Sequence, residues 1–185
     1  LVAHYRPDRS LEGRSLQQIA DAKGTPPVRA ALELIAAQSP SIVSFNMSED
    51  DIAELMRQPY TMTSSDGGLV AMGEGKPHPR NYGAFARKLS RYVRERGTVT
   101  LEHAVRSMTS LPAAVFGMTD RGVIREGAAA DLVVFDPARV VERSTYTDPH
   151  QLAEGMAYVV VNGQLVIDGG TFTSARPGTV LRRVP

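Results

Sequence analysis

Residues 60–68 have the sequence YTMTSSDGG, and this stretch decides the predicted fold. A short β-favouring run, Tyr60–Thr63, leads into two serines, an acid and two glycines. This order is typical of a buried strand that ends at a functional rim, because glycines let the backbone turn sharply and approach a ligand closely. Asp66 would lie at the end of that strand. An Asp before Gly also commonly opens a simple turn, and on local sequence the two interpretations carry equal weight.

The residues just upstream favour the functional interpretation. Ile42–Phe45 is short, β-branched and aromatic, which predicts a buried strand. Ser48 with Asp51 then starts a helix, with Ile52, Leu55 and Met56 facing inward. A strand–helix–strand crossover makes adjacent parallel strands, and ligands of parallel α/β folds bind at the carboxyl ends of the strands. Asp66 lies at such an end.

Two more helices are predicted before this unit. Ser15 and Gln18 form a capping-box pattern, and Gly24 ends the first helix. Thr25 can cap the second helix, with Pro26 in its first turn. The apolar residues of that helix recur at i, i+4 and i+7 and form one stripe: Val28, Leu32 and Ile35.

The segment after the glycines, Leu69–Tyr82, is a long loop with the sequence LVAMGEGKPHPRNY. It places His78 and Arg80 around two prolines. A stiff loop that holds an arginine near an acid is suited to anion binding, because a guanidinium offers a planar two-point grip on a carboxylate. The alternative is a solvated surface loop, and for His78 alone we favour that alternative.

The second half of the chain changes from helices to strands. Two amphipathic helices come first; the first packs Phe85, Leu89 and Tyr92 inward, and the second is capped by Thr100. From Thr119 the pattern turns to strands, with Asp131–Asp136 as one strand and a hairpin around Asn162-Gly163. We therefore predict a domain boundary near residue 119. A final strand is possible between Gly169 and Pro185.

Composition limits the classes of function. The chain has 185 residues, of which 42% are hydrophobic and 22% charged, as is ordinary for a soluble globular protein. A net charge of +1 argues against a nucleic-acid partner, so the face formed by Arg87, Arg91 and Arg94 is predicted to be solvated. The absence of cysteine excludes disulfides and thiolate metal sites. No apolar run approaches the roughly 20 residues of a membrane span.

Four segments together carry a resemblance to a known family: TSSDGG, PHPRNYGAFARKL, LEHAVRSMTSLPAAVFGMTDRGVIREGAAADLVVFDP and VNGQLVIDGG. They resemble the N-acyl-D-amino-acid deacylases, the D-aminoacylase-type members of the amidohydrolase superfamily. The similarity runs in order from about Gly13 onward. The GAAADLVVFDP segment and its hairpin occur across many amidohydrolases, whereas the SDG strand end followed by HPRNYG points to the D-aminoacylase branch.

The resemblance implies a fold. The family has a metal-bearing (β/α)8 barrel and a small β-sandwich built from both chain ends. Residues 1–118 would be the C-terminal part of the barrel, with Ile42–Phe45 as its seventh strand and Tyr60–Ser64 as its eighth. Residues 119–185 would be the C-terminal segment of the sandwich. The chain begins at LVAHYRPDRS without an initiator Met or a signal-peptide pattern, so we expect it to be part of something longer and cytoplasmic.

The resemblance also implies roles for residues. Asp66 would be the general acid/base, which takes a proton from metal-bound water as the water attacks the amide carbonyl and passes it to the departing amine. Arg80 would grip the carboxylate of a small N-acyl-D-amino acid, with His78, Ser64 and Ser65 shaping the site. Zn²⁺ or another divalent metal would be bound mainly by residues missing from this chain, with Asp66 at most a weak ligand.

The chain departs from the family in its histidines. His4, His78, His103 and His150 are neither paired nor spaced like a set of metal ligands. We therefore expect the isolated chain to be inactive, and to pair with an N-terminal barrel portion or self-associate. Two alternatives stay open. One is another amidohydrolase acting on cyclic amides, of the hydantoinase or dihydroorotase type, and the other is a non-catalytic fragment or interaction module.

Overall fold

The computed structural model describes residues 1–182 and shows a mixed α/β protein. Helices dominate the first two thirds of the chain, and an antiparallel sheet occupies the last third. The elements in chain order are β1 Val2–His4, a 3-10 turn Arg9–Leu11, α1 Leu16–Lys23, α2 Pro27–Ala37, β2 Ser41–Ile42, α3 Glu49–Arg57, α4 Arg80–Arg87, a π-helix Lys88–Glu95, α5 Leu101–Met108, α6 Ser110–Phe116, β3 Leu132–Phe135, β4 Met156–Val161, β5 Gln164–Asp168 and β6 Thr171–Phe172.

The described chain forms two compact units whose segments alternate along the sequence. The first unit contains residues 1–47, 66–83 and 143–152, and the second contains residues 48–65, 84–142 and those from 153 onward. The boundary predicted near residue 119 lies within the second unit and remains a prediction for the complete protein. Among the described helices, none has both the length and the apolar character that crossing a membrane requires.

The first unit is built on a small antiparallel pair, in which Val2 of β1 lies opposite Ile42 of β2. Its core consists of Val2, Tyr5, Ile19 and Leu34, and the Tyr5 hydroxyl donates to the Leu34 carbonyl oxygen at 3.2 Å. The predicted capping box of α1 is confirmed, because the side chains of Ser15 and Gln18 each accept from the other's backbone N–H.

Helix α2 forms where it was predicted, but its cap and its buried face differ. Pro26 occupies the N-cap and no side chain caps the helix, so the predicted capping role of Thr25 was wrong. Ala30 and Leu34 are the buried residues of this helix. The predicted stripe is solvent-exposed instead: Val28 is 72% exposed, Leu32 61% and Ile35 55%. The helix therefore offers an apolar face that no described residue covers.

Two predicted strands are also different in the structure. Of the first, Ile42–Phe45, only Ile42 is in a strand; that strand, Ser41–Ile42, pairs antiparallel with β1 rather than parallel with the next segment. Residues 61–70 belong to no helix or strand, and the Thr63 amide donates to the Ser107 carbonyl oxygen of α5 at 3.0 Å. Strand formation needs a neighbouring strand as well as β-favouring side chains. Within the described residues no strand ladder forms along Tyr60–Ser64.

The second unit surrounds a core of α4, the π-helix, α5 and the sheet edge. Leu89, Ala104 and Val140 lie at its centre, while Phe85, predicted to face inward, is 46% exposed. Helix α3 begins at the predicted cap Ser48, but Leu55 is also 55% exposed.

The basic face that follows α4 is neutralised within the second unit. Glu49 accepts from Arg91 at 3.4 Å and from Arg96 at 2.7 Å, and Glu142 accepts from Arg87 at 2.9 Å. Burial opposes the charge of Arg87, but the hydrogen bond and the charge of Glu142 together raise its pKa above the ordinary value. The predicted solvated face is therefore only partly confirmed: Arg94 is exposed, whereas Arg87 and Arg91 are partly buried and paired with acids.

The sheet of the second unit confirms the predicted hairpin. Its strand order is β3-β4-β5-β6, and every neighbouring pair is antiparallel. The turn between β4 and β5 has Asn162 at φ 46° and Gly163 at φ 78°, the two positive values that a tight hairpin turn requires. The possible final strand is the short β6. The last predicted residues of the sandwich segment, 183–185, lie outside the described part of the chain.

Gly155, just before β4, is expected to be the most sensitive glycine of this unit. Its φ is +92°, and an added Cβ would lie 2.6 Å from both the Arg139 carbonyl oxygen and Val140 Cα. Gly155→Ala should therefore lower the free energy of unfolding by about 2–3 kcal/mol, from backbone strain and the clash together. Urea unfolding followed by far-UV circular dichroism measures this loss.

Gly170→Ala is the matched control for that prediction. Gly170 has a similar φ of +84°, but the nearest atom to an added Cβ is 4.0 Å away. In the control variant the free energy of unfolding should fall only by the cost of placing a residue with a Cβ at positive φ, which is about 1 kcal/mol. If both variants lose the same free energy of unfolding, the close contact at Gly155 does not add to the cost of a side chain there.

Candidate active site

The site begins with the ion pair between Asp66 and Arg80, both in the first unit. Asp66 Oδ2 lies 2.7 Å from Arg80 Nη2. The Asp66 side chain is 80% exposed and that of Arg80 is 43% exposed, so the pair lies at the surface of its unit. Arg80 is the first residue of α4. The structure therefore brings together the two residues on which the sequence analysis placed most weight.

The backbone at Asp66 is unusual. Its φ of 47° lies in the left-handed region, and Asn162 is the only other described non-glycine residue with a positive φ. A non-glycine residue held in this conformation costs of order 1 kcal/mol or more, and such residues occur preferentially at functional sites. Asp tolerates this conformation better than most residues, because its short side chain can hydrogen-bond locally.

Contacts just after Asp66 fix the turn against the start of α4. Asn81 Nδ2 donates to the Gly68 carbonyl oxygen at 3.0 Å. A Cβ added at Gly67 would lie 3.0 Å from Asn81 Cα, so only glycine fits there without displacing its neighbour. Gly67 thus makes the predicted close approach, but to the protein's own Asn81 instead of a ligand, whereas a Cβ added at Gly68 would meet nothing within 4 Å.

His78 organises the same turn. Its Nδ1 accepts from the Arg80 backbone N–H at 3.0 Å, which requires Nδ1 to be unprotonated and a neutral ring to carry its proton on Nε2. The ring also makes an edge contact with Tyr146 at 5.1 Å between centroids. His78 thus supports the backbone that presents Arg80. Ser64 and Ser65 directly precede Asp66 in the chain but belong to the second unit; Ser64 is exposed and Ser65 partly buried.

A second histidine was not anticipated as a structural link. The Tyr82 hydroxyl and His150 Nδ1 are 2.8 Å apart, and His150 Nε2 lies 3.1 Å from the Gly75 carbonyl oxygen. A carbonyl only accepts, so Nε2 carries a proton, and in a neutral ring Nδ1 then accepts from the Tyr82 hydroxyl. This chain of bonds ties residues 143–152 to the loop before Arg80. The sequence held no local signal for it, since the partners are far apart in the chain.

Lys88 is the other residue that the sequence analysis missed. It is 3% exposed and belongs to the second unit, where Nζ donates to Thr63 Oγ1 and to Ser107 Oγ, each at 2.7 Å. Burial lowers its pKa below the ordinary value of a lysine. A signal was available, because Lys88 lies three residues after Phe85 and four before Tyr92, within the apolar stripe of the predicted helix.

The described residues do not by themselves fit a metal ion. Within residues 1–182, no three His, Asp or Glu side chains come close enough together to hold one. Each histidine has another contact in the structure: His4 with Glu12 at 3.0 Å, His103 with the Met56 carbonyl oxygen at 2.9 Å, and the other two as described above. Asp66 is the single acid of the predicted site, and it faces a guanidinium.

Comparison with known proteins identifies the family of this chain. A sequence model described as "Amidohydrolase family" matches residues 6–167. The chain is 41% identical over 177 residues to an N-acyl-D-glutamate deacylase of Alcaligenes xylosoxydans xylosoxydans, covering 96% of this chain and 35% of that protein. It is 38% identical over 183 residues to a D-aminoacylase of the same organism, covering 99% of this chain and 37% of that protein.

The solved structures agree with the sequence matches. The N-acyl-D-glutamate deacylase of Bordetella bronchiseptica, complexed with zinc and a phosphonate inhibitor that mimics the tetrahedral intermediate, superposes with a TM-score of 0.85 at 40% identity, covering 99% of this chain and 37% of that one. A dihydroorotase of Lactobacillus johnsonii is more distant, at 27% identity over 62% of this chain and 25% of its own length. The chain thus spans about a third of the length of these two deacylases of Alcaligenes.

Proposed function

Since the chain belongs to the amidohydrolase family, we propose that it is the C-terminal portion of an N-acyl-D-amino-acid deacylase and supplies the general acid/base Asp66. The observation that carries the proposal is the Asp66–Arg80 pair, with its 2.7 Å contact and its unusual backbone. The pair lies in the segment whose sequence resembles the D-aminoacylase branch. Residues 1–118 would complete a (β/α)8 barrel, and residues 119–185 a small β-sandwich.

In the proposed reaction Asp66 transfers the proton and Arg80 binds the substrate. The Asp66 carboxylate takes a proton from the attacking water while the water oxygen bonds to the amide carbonyl carbon. When the C–N bond breaks, Asp66 returns that proton to the leaving nitrogen, and the products are a carboxylate and a free D-amino acid. The divalent metal used by such enzymes, zinc in the Bordetella relative, would be held mainly by residues outside this chain.

Arg80 would bind the α-carboxylate of the substrate. A guanidinium has five N–H donors, so it can bind a second carboxylate while it keeps its contact with Asp66. Because Arg80 would contact both Asp66 and the substrate carboxylate, it would hold the amide carbon of the substrate close to the base. His78 would act through the Arg80 backbone, and Ser64 and Ser65 would shape the approach to Asp66.

Exposed apolar surface supports a partner for this chain. The face of α2 formed by Val28, Leu32 and Ile35 is exposed in the first unit. The second unit contains a largely apolar cavity of about 880 Å³, lined by residues that include Leu89, Val105 and Leu132. A monomer seldom leaves so much apolar surface uncovered. We propose that the N-terminal portion of the same enzyme covers it, and that without that portion the chain self-associates.

Complementation tests the proposal. The completed enzyme is this chain joined to, or mixed with, the N-terminal portion of the Alcaligenes N-acyl-D-glutamate deacylase. With zinc, the completed enzyme should release D-amino acids from N-acyl-D-amino acids, whereas the isolated chain should show no turnover. Amine release over time measures both.

A substrate panel separates the alternatives. Open-chain N-acyl-D-amino acids should be cleaved and cyclic ureides should not; the reverse preference would support the hydantoinase- or dihydroorotase-type alternative. Turnover by the isolated chain would contradict the proposed division of the enzyme. Size-exclusion chromatography of that chain should show association, and a monodisperse monomer would count against the proposed partner.

A further inference from the structure

The buried Lys88 of the second unit forms no ion pair with a carboxylate of the described residues. Nζ of Lys88 has two partners, the hydroxyls of Thr63 and Ser107, each at 2.7 Å. Among the ion pairs of the described residues, none includes this amine. Burying an amine without a counter-charge is costly, so a residue kept only to fill space would be better replaced by an apolar side chain of similar length.

The direction of the bonds identifies Lys88 as the donor. The Ser107 hydroxyl donates its own proton to the Ala104 carbonyl oxygen at 2.7 Å, and therefore accepts from the amine. The Thr63 hydroxyl oxygen likewise receives an N–H of Lys88. The amine is thus a bridge between helix α5 and residue 63.

Thr63 is fixed at two points. Its backbone N–H donates to the Ser107 carbonyl oxygen at 3.0 Å, and its side chain receives Lys88. The stretch around it, residues 61–70, belongs to no helix or strand, so no regular ladder holds it in place. Thr63 precedes Asp66 by only three residues in the chain. An anchor at Thr63 therefore limits where the SSDGG turn can begin.

We propose that Lys88 is a positioning residue, which anchors the segment that carries Asp66 through the Thr63 hydroxyl. The anchoring depends only on the contacts of the second unit, whereas its effect on catalysis rests on the proposed function. Lys88 touches no substrate in this role. It reduces the freedom of the chain that presents the base.

The test measures backbone protection and rate in the completed enzyme. Lys88→Met keeps an unbranched apolar stem and removes the donor. Hydrogen–deuterium exchange of residues 61–66, including the Thr63 amide, should become faster. The kcat should fall by up to about 10²-fold with KM little changed, because small displacements of a catalytic group cost rate rather than binding. Lys23→Met, the same change at an exposed lysine paired with Glu33, should alter neither quantity.

Thr63→Val is the second variant, in case Lys88→Met fails to fold. It removes the accepting hydroxyl at nearly constant shape and should give the same faster exchange and lower kcat. Unchanged exchange in both folded variants would overturn the anchoring, and faster exchange with unchanged kcat would overturn the positioning role. If the unaltered completed enzyme has no deacylase activity but Lys88-dependent protection is seen, the proposed function fails while the anchoring holds.

Discussion

Asp66→Asn in the completed enzyme should lower kcat for N-acyl-D-amino acids by about 10²–10⁴-fold, the usual contribution of a general acid/base. Asn has nearly the size of Asp and keeps an oxygen that Arg80 can contact, but an amide does not take up a proton at neutral pH. KM should change little, since substrate binding is assigned to Arg80. Steady-state release of the D-amino acid measures both constants.

Asp8→Asn provides the control for this experiment. Asp8 is another exposed acid of the first unit, where it caps the 3-10 turn, and Asn can cap equally well. This variant should keep the full rate. Circular dichroism of both variants shows that the fold is retained. A completed enzyme that keeps its rate with Asn at position 66 would reduce Asp66 to a turn residue and favour the non-catalytic alternative.

The parts of the fold that the sequence predicted are those with local causes. The capping box at Ser15 and Gln18, the cap at Ser48 and the hairpin at Asn162-Gly163 each depend on atoms within a few residues. A side-chain oxygen finds a nearby N–H, or two residues accept positive φ, whatever the rest of the chain does. Such signals locate where an element begins or ends.

Most of the parts that differed have distant causes; the exception is the start of α2, where Thr25 offered a local capping signal but Pro26 occupies the N-cap. Tyr60–Ser64 has β-favouring side chains, but a strand also needs a neighbour, and that neighbour is not specified by the segment itself. The stripe of Val28, Leu32 and Ile35 correctly marks an apolar face of α2, yet periodicity does not say which element covers it. Both differences concern surfaces that lack a partner within the described residues, which is consistent with a chain that spans about a third of the length of its relatives.

In the candidate site, too, local features could be predicted from the sequence and contacts between distant segments could not. Asp66 was predicted from the end of a β-favouring run, a strand that the structure does not form, and Arg80 from the chemistry of a stiff basic loop; the structure nevertheless joins the two side chains at 2.7 Å. The bonds from His150 to Tyr82 and from Lys88 to Thr63 were not predictable, because the partners lie far apart in the sequence; only the burial of Lys88 had a local signal. The residue types of a segment indicate which chemistry it can perform. The hydrogen bonds that hold those residues in place depend on which distant segments the fold brings together.

Arg80→Ala in the completed enzyme should lower kcat/KM for N-acyl-D-amino acids by about 10²–10³-fold, chiefly through a higher KM. In the completed enzyme the bound substrate would bury the contact between its carboxylate and Arg80, and removing one partner of a buried hydrogen-bonded charge pair costs about 2–5 kcal/mol, which corresponds to losses of this size. Arg80→Lys should recover only part of the loss, because an ammonium cannot make the planar two-point contact. Initial rates over a range of substrate concentrations give both constants.

A substrate without its α-carboxylate decides whether that contact is direct. Arg80 also contacts Asp66, so its loss could act through the base instead of through the substrate. The carboxamide analogue of the substrate should be a poor substrate for the unaltered enzyme, and Arg80→Ala should scarcely worsen it. Arg29→Ala, which removes an exposed arginine paired with Glu33 in the same unit, should leave both substrates unaffected. An equal loss for the acid and the carboxamide with Arg80→Ala would contradict carboxylate binding and would assign Arg80 to holding Asp66 alone.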